Sequence, residues 1–265
     1  MDMRAELPIT EGPVLASFED GVVTITMNRP ETLNAVTAPM MNHIEQLIMA
    51  ASDLEGARAI VLRAAGKGFC SGADLSPEEG EKASTATIDA GNGVVTAMRQ
   101  APLPVVCVVQ GACAGIGVSI ALAADLVVAS EKAFFLLAFA NIGLMPDGGA
   151  TALVSAAVGR PRAMRMALLG ERVYAAQAEA WGLISHVVSP EALDEETDTL
   201  VRKLAEGPSR AYAATKHAVN EATLQELSQA FQRERYGQSA LLHSADFEEG
   251  AAAFRERRPA RFSGC

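Results

Sequence analysis

The sequence predicts an α/β protein made of ββα units and closed by a helical C-terminal region. Three observations carry this. Short runs rich in Val, Ile and Leu alternate with helical patterns as far as about Pro190, glycine-rich loops join them, and beyond that point strand patterns stop while helical ones continue. The composition agrees: of 265 residues, 49% are hydrophobic and 20% charged, enough to bury a large core and too apolar for a disordered chain. Residues 1–190 are therefore read as the core and 191–265 as a helical region, with assembly favoured over simple back-packing as the role of the latter.

The elements follow in order. Residues 18–27 alternate around Asp20 and Gly21, a turn signal, and predict a hairpin. Thr37 is placed to cap the stretch PMMNHIEQLIMAAS, whose apolar residues recur at helical spacing. A short β-rich run at residues 59–63 leads into the loop AAGKGFCSGADL, a helix is expected over residues 93–99, and LPVVCVVQ reads as a strand. The rhythm then recurs: GACAGIGVSIALAAD gives a glycine loop and a helix, LVVAS and residues 133–136 give two strands, and PDGGATALVSAAVG opens another helix. Helical patterns continue through EALDEETDTLVRKLAE, SRAYAATKHAVN and TLQELSQAFQRERYGQSALL.

Charge and cysteine usage exclude several function classes. A formal net charge of −10, with basic residues scattered apart from Arg255, Arg257, Arg258 and Arg261, argues against a broad nucleic-acid surface. Cys70, Cys107, Cys113 and Cys265 show no paired ligand spacing and read as reduced thiols of a cytoplasmic protein, with no metal implied. The N-terminal MDMRAELPITEGP has no apolar run and does not read as a signal peptide. The most apolar region, residues 103–128, contains Gln110, Gly111, Gly115, Gly117 and Asp125, so it reads as a buried strand, a turn and a core helix rather than a membrane span.

Two motifs carry chemistry. In GKGFCSGADL (residues 66–75) the chain turns after a strand, and a backbone N–H near Ala73 is expected to point outward for a ligand oxygen; an ordinary turn is the plainer reading of this motif alone. In QGACAGIGVSIALAAD (residues 110–125) glycines precede an apolar helix whose first N–H groups are free for an anion or an oxygen becoming one; close packing also wants glycine there. Asp147, in GLMPDGGATALV, has the local pattern of a helix N-cap. Asp74 and Asp125 read as structural, and His43, His186, His217 and His243 lie outside the motifs.

Taken together, GKGFCSGADL and QGACAGIGVSIALAAD resemble the two oxyanion segments of the crotonase superfamily, and a PDGG turn follows as in that family. The resemblance runs from TMNRPETLNA through WGLISHVV to EEGAAAFRERRPARF. It implies a crotonase-like spiral of ββα units, an acyl-CoA thioester as substrate with coenzyme A as part of it, no other cofactor, and a homotrimer or homohexamer. By the same resemblance the N–H groups of Ala73 and Ile116 would bind the thioester oxygen, a feature whose loss costs other enzymes roughly 10²- to 10³-fold in rate. Arg29 and Lys67 would meet the CoA phosphates, and Gly72, Gly117 and Phe139 would contact substrate. Pocket walls are expected from residues 83–95 and 134–139.

Hydratases of the family use two glutamates, and an ungapped overlay puts Ser119 and Phe139 at those positions. Asp147 matches the place where some isomerases carry their single acid, and moving a double bond needs only one base. AFANIGLMPDGGA resembles isomerases that convert 3-enoyl-CoA to 2-enoyl-CoA, and also the ring-epoxide isomerase of phenylacetate degradation, as does the ending SADFEEGAAAFRERRPARFSG. Three other readings stand beside this one: a hydratase acting through Asp147 and a water, a non-catalytic acyl-CoA-binding protein, and a short-chain NAD(P) dehydrogenase assembled from GACAGIG, Glu131, Tyr212 and Lys216.

Overall fold

The computed structural model describes residues 8–75 and 85–265. The chain opens with a hairpin, β1 (Val14–Glu19) and β2 (Val22–Met27). Asp20 and Gly21 both take positive φ, 49° and 80°, the two-residue turn whose twist suits a hairpin. Four further strands extend the sheet in parallel: β3 (Ala59–Ala64), β4 (Val105–Val109), β6 (Leu126–Ser130) and β9 (His186–Val188), in the order β1-β2-β3-β4-β6-β9. Parallel strands need covered faces, which is why β4 reads as an unbroken apolar run and β3 as one as far as Leu62.

One face packs on α1 (Ala38–Asp53) and α2 (Ala86–Gln100), whose Met40, Ile44, Leu47, Val94 and Met98 are buried in the main core. Thr37 caps α1, accepting from the Met40 N–H at 3.4 Å. The other face holds Ala59, Val61, Val106, Val108 and Val128 against Leu193 and Val201 of α6 (Leu193–Ala205), a second, smaller core. The Arg58 guanidinium reaches the carbonyls of Ala205 and Gly207 at 3.0 and 2.7 Å, a cation at a helix C-terminus.

A second, three-stranded sheet, β5-β7-β8, is built from β5 (Ala112–Ala114), β7 (Phe134–Leu136) and β8 (Val173–Tyr174). After β5 comes α3 (Ile116–Leu122), buried along almost its whole length, and after β7 comes α4 (Ala150–Leu169). Helix α4 breaks at Gly159, two residues before Pro161, which cannot continue the ladder. Then follow α5 (Ala175–Trp181), β9 and α6, and the described residues end in three more helices, α7 (Ser209–Thr223), α8 (Leu227–Leu241) and α9 (Ala245–Glu256).

The α/β class, the hairpin, α1, strands β3, β4 and β6 and the helical C-terminal run are as read from sequence. Helix α2 is longer than residues 93–99 and starts at Ala86, because the apolar spacing already holds at Ile88 and Ala90. Strands β8 and β9, of two and three residues, are too short to leave a periodic pattern. Helix α8 packs back on the core, burying Ala230, Glu234 and Gln238. Among the described residues no helix is long and apolar enough to cross a membrane.

Candidate active site

The two glycine-rich motifs lie side by side. Residues 69–72 run along residues 112–115 as a parallel pair, with Cys70 N–H donating to Ala112 O (3.0 Å) and Ala114 N–H to Cys70 O (2.8 Å). Gly72 and Gly115, at φ 109° and 55°, touch: a Cβ on Gly115 would stand 3.4 Å from Gly72 Cα. Neither conformation is open to an ordinary L residue at low cost, so glycine is required at both. The residues that follow them, Ala73 and Ile116, therefore begin from adjacent points.

The register fixes which way the first amide faces. Val36 donates to Gly72 O and accepts from the Asp74 N–H, both at 2.9 Å, so Ala73 is the bridge residue whose own N–H turns away from Val36. Ile116 is the first residue of α3, where an N–H has no partner within the helix. No acceptor among the described residues takes the N–H of either residue.

Side chains brace the first loop from outside. Asn34 Nδ2 donates to Ala65 O and Gly68 O, and its Oδ1 accepts from the Arg29 N–H. Gln110 Nε2 donates to the carbonyls of Ala64, Gly66 and Gly68. The Arg29 guanidinium pairs with Asp74 at 2.9 Å and donates to Ala35 O at 2.7 Å, so Arg29 is committed to the loop beside Ala73. Lys67 is exposed at the tip of the loop. Gly117 faces Cys70, where a Cβ would come within 2.7 Å of Cys70 Cβ, and Phe139 lies in the core in a 3-10 turn.

Asp147 comes to the same place from the other side. The loop ahead of α4 lies on the first turn of α3: a Cβ on Gly148 would stand 2.2 Å from Ile116 Cδ1, and Ser119 Oγ donates to Asp147 O at 2.7 Å. Asp147 is 8% exposed; Oδ2 accepts from Gln238 Nε2 at 3.0 Å, and Oδ1 is buried with no partner. Burial pushes its carboxyl up to about 7; the Gln238 hydrogen bond pulls the other way, and the nearby Glu234 charge adds to the rise.

The N-cap reading of Asp147 is corrected by Glu234. Its carboxylate, reaching over from α8, accepts from Gly149 N–H (2.6 Å), Thr151 N–H (2.8 Å) and Thr151 Oγ1 (2.5 Å), the groups a capping side chain would serve. Asp147 contributes only its backbone carbonyl, to the Ala150 N–H. Glu234 and Gln238, one turn apart on α8 and both 1% exposed, were missed in the sequence, since a helix rich in polar residues gives no sign of which face is buried. Of the expected pocket walls, residues 83 and 84 lie outside the described residues, while Gly91 of α2 packs on Ile116 Cδ1.

The other candidates separate from this site. Asp125 accepts from the Val105 N–H and pairs with Lys216 at 2.8 Å; Lys216 also donates to the carbonyls of Met98 and Leu103. Lys216 is thus a tether for α7, its ammonium engaged by Asp125, Met98 and Leu103.

Comparison with known proteins shows the family of the chain. The family model described as "Enoyl-CoA hydratase/isomerase" matches residues 17–264. A 1,2-epoxyphenylacetyl-CoA isomerase of Escherichia coli K12 is 37% identical over 95% of this chain and 98% of its own length. A probable enoyl-CoA hydratase of Rhodobacter capsulatus is 40% identical over 93% and 96%. Among solved structures, an enoyl-CoA hydratase from Mycobacterium avium subsp. paratuberculosis K-10 superposes with a TM-score of 0.90 at 48% identity, covering 96% of this chain and all of the other.

Proposed function

Since the chain belongs to the enoyl-CoA hydratase/isomerase family of the crotonase superfamily, we propose that it isomerises an enoyl-CoA, either 3-enoyl to 2-enoyl or a ring epoxide, with Asp147 as its single acid and base. The observation that carries this reading is the Asp147 carboxylate: buried, held by one oxygen, and bare at the other. A carboxyl near pH 7 is matched to taking a proton and giving it back.

For a 3-enoyl thioester the ionised Asp147 removes a proton from C2, and the C–H electrons pass into a dienolate. The charge on the thioester oxygen is met by the N–H groups of Ala73 and Ile116. Protonated Asp147 then returns the proton to C4, leaving the double bond between C2 and C3 and the carboxylate as it began. The two amides supply fixed dipoles where charge develops, which is worth about 3–4 kcal/mol for a single donor in comparable sites. Ser119 and Phe139 at the glutamate positions support one base over two, and the Escherichia coli isomerase supports the ring-epoxide variant. Coenzyme A enters with the substrate, and Lys67, exposed on the first loop, would meet its phosphates.

The hydratases of Rhodobacter and Mycobacterium named above favour a second reading, in which Asp147 activates a water. The two separate on incubation of purified protein with 2-enoyl, 3-enoyl and ring-epoxide CoA esters, following mass and absorbance. Isomerisation without mass change, lost in Asp147→Ala, is expected; a gain of one water on 2-enoyl-CoA as the main reaction would overturn it. A cytoplasmic homotrimer or hexamer fits the exposed Tyr236 and Phe254 on α8 and α9, and light scattering of the purified protein checks the assembly.

A further inference from the structure

We propose that Gln238 is a positioning residue for proton transfer: its side-chain amide, locked between the Met145 N–H and the Asp147 carboxylate, engages one carboxylate oxygen and leaves the other as the single oxygen free to carry the proton. The inference rests on the reading of Asp147 as the acid and base.

The amide can sit only one way round. The Met145 N–H must donate, and it donates to Gln238 Oε1 at 3.2 Å; Nε2 is therefore the atom that faces Asp147 and must donate to Oδ2 at 3.0 Å. Gln238 is 1% exposed, so water does not compete for either bond. Asp147 is left with two unlike oxygens, Oδ2 engaged and Oδ1 buried and bare. A carboxyl with one oxygen pinned has one basic oxygen with a fixed direction, which is what successive deprotonation and reprotonation at two carbons of one substrate require.

Glu234, four residues earlier on the same face, sets the balance from the opposite side. Its carboxylate is occupied by Gly149 and Thr151, and its negative charge opposes ionisation of Asp147 while the Gln238 donor favours it. Among the described residues the polar groups facing Asp147 are these two from α8 and the uncharged Ser119 from α3; Arg233 acts on Glu234. One helix face thus carries a donor and a charge with opposite effects on the same carboxyl.

The test reads Asp147 directly and then the reaction. Carbon-13 titration of the Asp147 carboxyl is measured in the wild type, Gln238→Leu and Glu234→Gln, with Asp147→Asn to assign the signal. The midpoint is expected to rise in Gln238→Leu and to fall in Glu234→Gln; equal midpoints, or shifts of the same sign, overturn the inference. Gln238→Leu is then expected to lower kcat about tenfold to a hundredfold on 3-enoyl-CoA with KM within threefold, and to move the acid limb of kcat/KM upward. In the Asp147→Asn background it is expected to cost nothing more. Loss of turnover in Asp147→Asn alongside wild-type kcat and pH profile in Gln238→Leu overturns the inference and leaves the isomerase reading standing. Full turnover in Asp147→Asn overturns both. Gln238→Glu, which still accepts the Met145 N–H but turns a second carboxylate toward Asp147, keeps the test open if Gln238→Leu does not fold: its midpoint should rise, and an unmoved midpoint counts against the inference.

Discussion

Two regions meet at the candidate site, and they are built on opposite terms. The paired loops at residues 69–73 and 112–116 act through main-chain groups: what they need from the sequence is mostly glycine and freedom from side chains. The face of α8 that carries Glu234 and Gln238 acts through side-chain atoms alone, each buried and each fully directed. Amide donors held by a backbone ladder keep their aim whatever residue bears them, whereas a carboxyl's aim and acidity depend on each neighbour. A fold can therefore hold its oxygen-binding half constant and change its proton chemistry by altering a few side chains.

The sharpest test of that division is Asp147→Asn. Removing the proposed base while keeping its shape is expected to lower kcat by about 10²- to 10⁴-fold. The same change should stabilise the protein, with a sign that follows from linkage. The carboxyl holds its proton to about pH 7 in the fold and to about 3.8 when unfolded, so the unfolded chain ionises first as pH rises. The wild type loses stability across that window, and the variant does not. The advantage of Asp147→Asn should grow from near zero at pH 4 to about 4 kcal/mol by pH 8. Urea melts of both proteins at several pH values check it; a difference that does not vary with pH would show that Asp147 is not held neutral by burial.

The loops should break differently. Gly115→Ala puts a side chain where φ is 55° and ψ −130°, a strain of roughly 1–3 kcal/mol, and presses it on Gly72. The Ile116 N–H turns as the strain relaxes, so kcat should fall about a hundredfold while the pH profile keeps its midpoint. A shifted midpoint with unchanged kcat would mean that the loop acts on Asp147 and not on the substrate oxygen.

The same contrast explains what could be read in advance. The glycine loops, the hairpin turn at Asp20-Gly21 and the Thr37 cap are local devices, and local devices leave local letters. The strand, glycine and helix-start letters put free N–H groups in the two loops, and the resemblance of both loops to the crotonase oxyanion segments is what names Ala73 and Ile116. Glu234 and Gln238 could not be named, because they act on a loop some 85 to 91 positions away and lie in a helix whose residues are largely polar all round. For the same reason Asp147 read as an N-cap candidate: nothing local says that Glu234 already occupies that end of α4. Arg29 is expected at the CoA phosphates by resemblance, and its pairing with Asp74, brought to it by the bridge between residues 36 and 73, has no local sign in the sequence.

Farther from the site, α7 is tied down by Lys216, whose side chain is 7% exposed and whose ammonium pairs with the Asp125 carboxylate. Burial lowers the lysine's hold on its proton and Asp125 restores part of it. Lys216→Met removes the cation bonded to that carboxylate, leaving it the Val105 N–H and the nearby Arg99 charge, and should cost about 2–3 kcal/mol in a urea melt. Because the tether touches neither amide nor Asp147, kcat of the folded protein should hold; a matching loss of kcat would join α7 to the site.

Ser119→Ala is the smallest change and bears most directly on the comparison. Its hydroxyl stands where hydratases carry a glutamate in the ungapped overlay, yet it is fully buried and spent on the Asp147 carbonyl at 2.7 Å. That bond fixes backbone, so it belongs with the loops rather than with α8. Removing it should cost about 1 kcal/mol of stability, since the carbonyl keeps the Ala150 N–H as a second donor. The titration midpoint of Asp147 should stay within a few tenths of a pH unit, because no donor to the carboxylate itself is lost. A midpoint that moves as far as in Gln238→Leu would place Ser119 in the proton chemistry, and the line between a main-chain half and a side-chain half would have to be redrawn through α3.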